Sequence, residues 1–123
     1  MRNRDRGRMD VVNVDERDSP EVRNGVFLAQ LAAGERMSVQ HFRIQPGSGV
    51  DDHSHEHEQA GYLVSGEILF TVDGEEYTVE AGDSYVIPGN AVHAATSTGD
   101  EAAVGVELFS PPRPNPPWST DDE

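Results

Sequence analysis

The sequence predicts an all-β fold: a small single antiparallel domain, either a β-sandwich or a β-barrel. Three observations predict it. Apolar residues recur in short runs of strand length. Gly, Pro and Asp punctuate those runs at intervals of roughly 8–12 residues. No stretch sustains a helical repeat with caps at its ends. With 123 residues, one domain is expected, and the chain is long enough to bury a core without disulfide or metal staples.

The elements follow in order. In residues 1–10 arginines alternate with polar side chains, so a disordered leader is expected, and Met9 offers an alternative start. Residues 11–14 form a short strand candidate, and the domain is expected over 11–113. Two longer strands are expected over 25–33 and 37–45, joined by a turn at Gly34 and Glu35. Pro46, Gly47, Ser48 and Gly49 then break the chain. Strands over 60–65 and 68–72 flank Gly66 and Glu67. Asp73-Gly74 is a hairpin signal of type I′, because both residues tolerate positive φ, and a strand over 75–79 returns from it. After a turn at Gly82, strands over 84–87, 92–98 and 102–109 complete the series. The prolines between Pro111 and Pro117 cannot enter a central strand, so 114–123 is expected to be an extended acidic tail.

Charge narrows the function. The formal net charge is -14, and all nine basic residues are arginine. Such a chain is repelled by nucleic acid and by anionic membranes. The acidic, lysine-free composition resembles that of proteins from extreme halophiles, where a Debye length of about 3 Å at 1 M salt screens the self-repulsion. There is no cysteine, so disulfides and thiolate zinc sites are excluded. The apolar runs are too short for a transmembrane helix or a signal peptide, and a cytoplasmic protein is expected.

Histidine placement carries the chemistry. Four of the five histidines fall in two short segments. The first reads Gly47-x5-His53-x-His55-x3-Gln59-x6-Gly66, and the second reads Gly82-x5-Pro88-Gly89-Asn90-x2-His93. Neutral imidazole is the commonest protein ligand for a transition metal. A strand repeats every two residues, so His53, His55 and Gln59 can share one face. With His93 from a second strand they would offer three nitrogens and one amide oxygen to a divalent ion: Mn, Fe, Ni, Co or Zn. All four ligands are neutral, so the ion would keep its full charge and attract a small anionic substrate. His57 shares the parity of His55, but the polar run Glu56-His57-Glu58 is expected to turn or bulge and leave His57 outside the ligand set. Glu58 has the wrong parity to replace Gln59, which weighs against an iron dioxygenase with a carboxylate ligand. His41 reads as a structural histidine, with Arg43 and Gln45 on its side of the strand. Tyr62 reads as a packing residue with its hydroxyl bonded.

These two segments resemble the paired signature motifs of the cupin superfamily, over roughly residues 25–113. The usual pattern has Glu at the position of Gln59, Gly at Asn90 and Asn at Ser97. The resemblance implies a jelly-roll barrel with the metal inside its mouth, and a homodimer. Within the superfamily the chain is similar to the small cupins of pectin and alginate breakdown, which open unsaturated monouronates to keto forms. Those carry H-x-H-x-H-x-Q, then Y-x-V-S-G, then D-x-F-x-x-x-R. Here the runs are His53-Ser54-His55-Glu56-His57-Glu58-Gln59, Tyr62-Leu63-Val64-Ser65-Gly66 and Glu107-Leu108-Phe109-Ser110-Pro111-Pro112-Arg113. The resemblance implies that Glu107 moves a proton, Arg113 clamps a substrate carboxylate and Phe109 forms an apolar wall. Glu107 stands where the family has Asp, one methylene shorter. The rival readings are a metal-dependent dioxygenase and a non-catalytic small-molecule sensor.

Overall fold

The structure is a computed structural model and describes residues 9–113; the rest of the expected leader and the expected tail over 114–123 lie outside the described residues. The described residues form ten strands: β1 (Glu21–Arg23), β2 (Val26–Ala33), β3 (Ser38–Ile44), β4 (Gly49–His53), β5 (Glu58–Ser65), β6 (Glu67–Val72), β7 (Glu75–Glu80), β8 (Ser84–Ile87), β9 (His93–Ser97) and β10 (Ala103–Ser110). They build a six-stranded sheet, β1-β2-β3-β10-β5-β8, and a four-stranded sheet, β4-β9-β6-β7. Every pairing is antiparallel. The arrangement fits a jelly roll, but no strand pairing closes the two sheets into the expected barrel among the described residues. No helix among these residues is long and apolar enough to cross a membrane.

Period-two alternation creates the core. In β10, Ala103, Gly105, Glu107 and Phe109 are buried, while Val104, Val106 and Leu108 are less so. The inward residues of both sheets meet in one cluster that includes Val26, Phe42, Ile44, Leu63, Ile68, Phe70, Val79 and Ile87. Burying one such side chain contributes about 1.5–3 kcal/mol. Glu107 is the anomaly: a carboxylate at an inward position, 8% exposed.

Several expectations change. Residues 11–14 are not a strand. Val14–Glu16 is a 3-10 turn, because Asn13 and Glu16 make a reciprocal cap: Asp15 N–H donates to Asn13 Oδ1 (2.9 Å) and Asn13 N–H donates to Glu16 Oε1 (2.8 Å). Asp10, within the expected leader, accepts a hydrogen bond from Ala33 N–H (3.1 Å). The strands β1 and β4 have no apolar alternation in sequence; pairing with β2 and β9 defines them. The Asp73-Gly74 turn has φ of 48° and 86°, as its residues require. Asn90 takes φ of 68°, a left-handed conformation that Asn tolerates better than most residues.

Candidate functional site

His53, His55 and Gln59 do not alternate along one strand. His53 ends β4, Gln59 lies in β5, and the chain turns between them, with His55 on the turn. The polar run around Glu56 and His57 forces that turn. It nonetheless folds His55 back toward His53. His93 opens β9 and pairs in register with His53. The three rings converge: centroids are 4.2 Å apart for His53 and His93, 5.1 Å for His55 and His93, and 5.6 Å for His53 and His55. One nitrogen from each lies within 4.8 Å of the others.

Each Nδ1 is committed to a nearby backbone carbonyl. His53 Nδ1 faces Asp51 O (2.9 Å), His55 Nδ1 faces His57 O (3.1 Å) and His93 Nδ1 faces Ala91 O (3.0 Å). A carbonyl can only accept, so in the neutral rings each Nδ1 carries the proton and each Nε2 keeps its lone pair. His93 Nε2 is buried without a partner. His55 Nε2 lies 3.1 Å from Gln59 Oε1, a second acceptor. Lone pairs gathered like this repel one another unless a cation lies among them. Burial pushes His55 down to about 4, with the Arg113, His93 and His53 charges adding to it. His93 is also lowered, chiefly by burial. Protons are therefore poor occupants, and the donor set fits a divalent metal.

A cavity of about 310 Å³ opens from His53 and His93 between the sheets. Its polar end holds His53, His93, Gln59, Gln40, Glu107 and Arg113; its other walls include Leu28, Phe42, Ile68 and Phe70. Glu107 accepts from Gln59 Nε2 (2.7 Å), Tyr85 OH (2.7 Å) and more weakly Gln40 Nε2 (3.4 Å). Burial raises its carboxyl above the usual range, against the lowering pull of Tyr85, Gln59, Arg113 and His53. Phe109 is 2% exposed and meets the His55 ring edge-on at 5.9 Å. Arg113 Cζ lies 5.3 Å over the Phe109 ring. Arg113 is further pinned by its backbone: its N–H donates to Ser38 Oγ (2.8 Å) and its carbonyl accepts from Gln30 Nε2 (3.1 Å).

The remaining candidates separate from this group. His57 packs against His55 (5.4 Å) and Phe109 (6.2 Å) but is not among the three converging rings. Glu58 is exposed. His41 lies on β3 between the inward residues Gln40 and Phe42, and burial followed by the Arg43 charge lowers its pKa. Tyr62 is 48% exposed, so it is not the packing residue that was expected. Tyr85 takes that place: its ring packs on Phe70 at 4.7 Å. Sequence reasoning missed Tyr85 and Gln40. A polar residue at the inward parity of an apolar strand, as at Gln40 between Phe42 and Ser38, was the available signal.

The cupin-domain family matches residues 40–109 of this chain, a span containing all four expected metal ligands. The chain is a cupin. This cupin is 30% identical over 117 residues to the polyketide synthase CurC of Streptomyces cyaneus, covering 91% of this chain and 76% of that protein. It is 25% identical over 100 residues to the pectin degradation protein KdgF of Dickeya dadantii, covering 80% and 90%. Among solved structures, KdgF from Halomonas sp. superposes with a TM-score of 0.79 at 26% identity, covering 87% of this cupin and 97% of that chain.

Proposed function

We propose that this cupin is a divalent-metal enzyme that opens and tautomerises the ring of a small unsaturated sugar acid. The observation that carries the reading is the convergence of three imidazole nitrogens, two of them from histidines lining the cavity end that also holds Glu107 and Arg113. His53, His55, His93 and Gln59 would hold the metal. A bound ion supplies Lewis-acid polarisation of a substrate oxygen. Arg113 binds the substrate carboxylate through its two-pronged fork. Glu107 takes the proton of the ring hemiacetal hydroxyl as the ring C–O bond breaks and the aldehyde forms. It returns that proton to the ring carbon as the resulting enolate becomes the ketone. A carboxyl raised by burial is a stronger base than an ordinary carboxylate, which favours the first half of that exchange. Phe109 and the apolar walls keep water from the enolate. The similarity to KdgF proteins of pectin degradation supports the substrate class.

Cavity size favours this substrate over a larger one. About 310 Å³ lies at the small end of ligand sites, which run from about 300 to 1,000 Å³, and suits a single sugar ring. The apolar walls favour a second reading, cyclisation of a poly-keto chain, which the similarity to a polyketide synthase also supports. NMR of unsaturated monouronates with the metal-loaded protein tests the first. Faster loss of the cyclic form than in buffer is expected; no acceleration on several such sugars sinks it. A homodimer remains part of the proposal, supported by the exposed Tyr62, Val64 and Val86 side chains.

A further inference from the structure

We infer that Glu107 has a role apart from moving a proton: held by Tyr85, it turns the Gln59 side chain so that the amide oxygen, not the nitrogen, faces the histidines. The inference rests on the metal reading of the site. Tyr85 is then a positioning residue that acts through Glu107 on Gln59.

The register of the large sheet builds this device. Gln40, Glu107, Gly61 and Tyr85 form one row across β3, β10, β5 and β8, since Glu107 pairs with both Gln40 and Gly61, and Gly61 pairs with Tyr85. Side chains two strands apart do not ordinarily touch. Gly61 removes the obstacle: a Cβ there would run into the Tyr85 ring. Across that gap the Tyr85 hydroxyl reaches Glu107 Oε2 at 2.7 Å. The same oxygen accepts from Gln59 Nε2, also at 2.7 Å. That oxygen accepts from both groups, so it is the NH₂ end of Gln59 that faces Glu107. The other end of the amide, Oε1, is thereby left 3.1 Å from His55 Nε2.

The row also explains why an amide stands at a position where the cupin pattern usually has Glu. A second carboxylate there would meet Glu107 as a like charge, and one of the two would have to take up a proton. The carboxyl of the site thus sits one hydrogen bond behind the ligand, and the ligand itself stays neutral. Partners that orient a ligand in this way are worth about 10–100-fold in metal affinity.

The test is Co(II) binding to the full-length, metal-stripped protein. It reads affinity by chelator competition and ligand arrangement by the visible absorption bands. Glu107→Leu is expected to weaken binding by about 10–100-fold and to change the bands. Glu107→Gln still offers an oxygen to Gln59 and Tyr85, so it is expected to recover most of that loss. Tyr85→Phe is expected to weaken binding by a smaller factor than Glu107→Leu, with the bands shifted the same way. Wild-type affinity and bands in Tyr85→Phe overturn the inference, and so does a Glu107→Gln protein as weak as Glu107→Leu. Should Glu107→Leu fail to fold, Tyr85→Phe decides alone. A wild-type protein that binds no Co(II) defeats the metal reading instead, which is a separate result.

Discussion

The two sheets bring different chemistry to one cavity. The four-stranded sheet brings His53 and His93 at the paired ends of β4 and β9, with His55 on the turn that leaves β4. Their orientation comes from backbone carbonyls of their own segments. The six-stranded sheet brings Gln40, Gln59, Glu107 and Tyr85, which orient one another through side chains on four different strands. Burial acts on both groups in the same sense, against charge: it lowers His55 and His93 and raises Glu107. The small sheet and its turn thus gather the three imidazoles that could hold an ion. The large one gathers the amide and carboxyl groups around Glu107, with Gln59 reaching across to His55.

Substitutions on the two sides should fail differently. His93→Ala, on the small sheet, is expected to abolish stoichiometric metal binding and all turnover, measured by elemental analysis and by the uronate assay. Retained stoichiometric metal would remove the small sheet from its assigned task. Arg113→Lys, beyond β10, keeps the charge but loses the fork. It is expected to lower kcat/KM by roughly tenfold, with metal affinity unchanged. A matching loss of metal would merge the two roles.

Acid should act first on the histidine side. His55 falls from 6.5 to about 4 on folding, so between those values the folded chain binds fewer protons than the unfolded one. Its contribution to stability is full above pH 6.5 and is lost as pH falls toward 4. Glu107 is raised, so its contribution has the opposite sign: a cost above its folded pKa that is relieved as pH drops. The metal-free wild type is therefore expected to lose more Tm between pH 6.5 and 4 than His55→Gln does. Equal losses would contradict the burial argument. Bound metal should leave over the same range, and stoichiometric retention at pH 4 would count against histidine ligation. The smallest effect concerns the edges of the two sheets. Arg23 on β1 meets Asp51 on β4 at 3.4 Å, in an exposed pair. Arg23→Ala is expected to cost less than about 1 kcal/mol by denaturant titration.

The two sides also differ in how much of them could be read from the residues. The histidines were legible because their type and spacing name their chemistry, and the Asp73-Gly74 hairpin because its backbone angles exclude most other residues. The strand parity assigned to His53, His55 and Gln59 failed, since the polar turn between β4 and β5 resets the alternation. The strands β1 and β4 were invisible for a related reason. Glu21–Arg23 and Gly49–His53 owe their extension to neighbours, not to their own apolar pattern. Tyr85 and Gln40 were missed because their meaning lies in register. Nothing in the order of residues says that Gln40, Gly61, Tyr85 and Glu107 will stand in one row.

The carbonyl contacts of the three imidazoles have a kinetic consequence. Each spans only two residues, so a segment can aim its ring before distant strands have docked. Ion capture would then require almost no rotamer search, and its rate should follow the encounter of ion and mouth instead of a slow rearrangement of the apo protein.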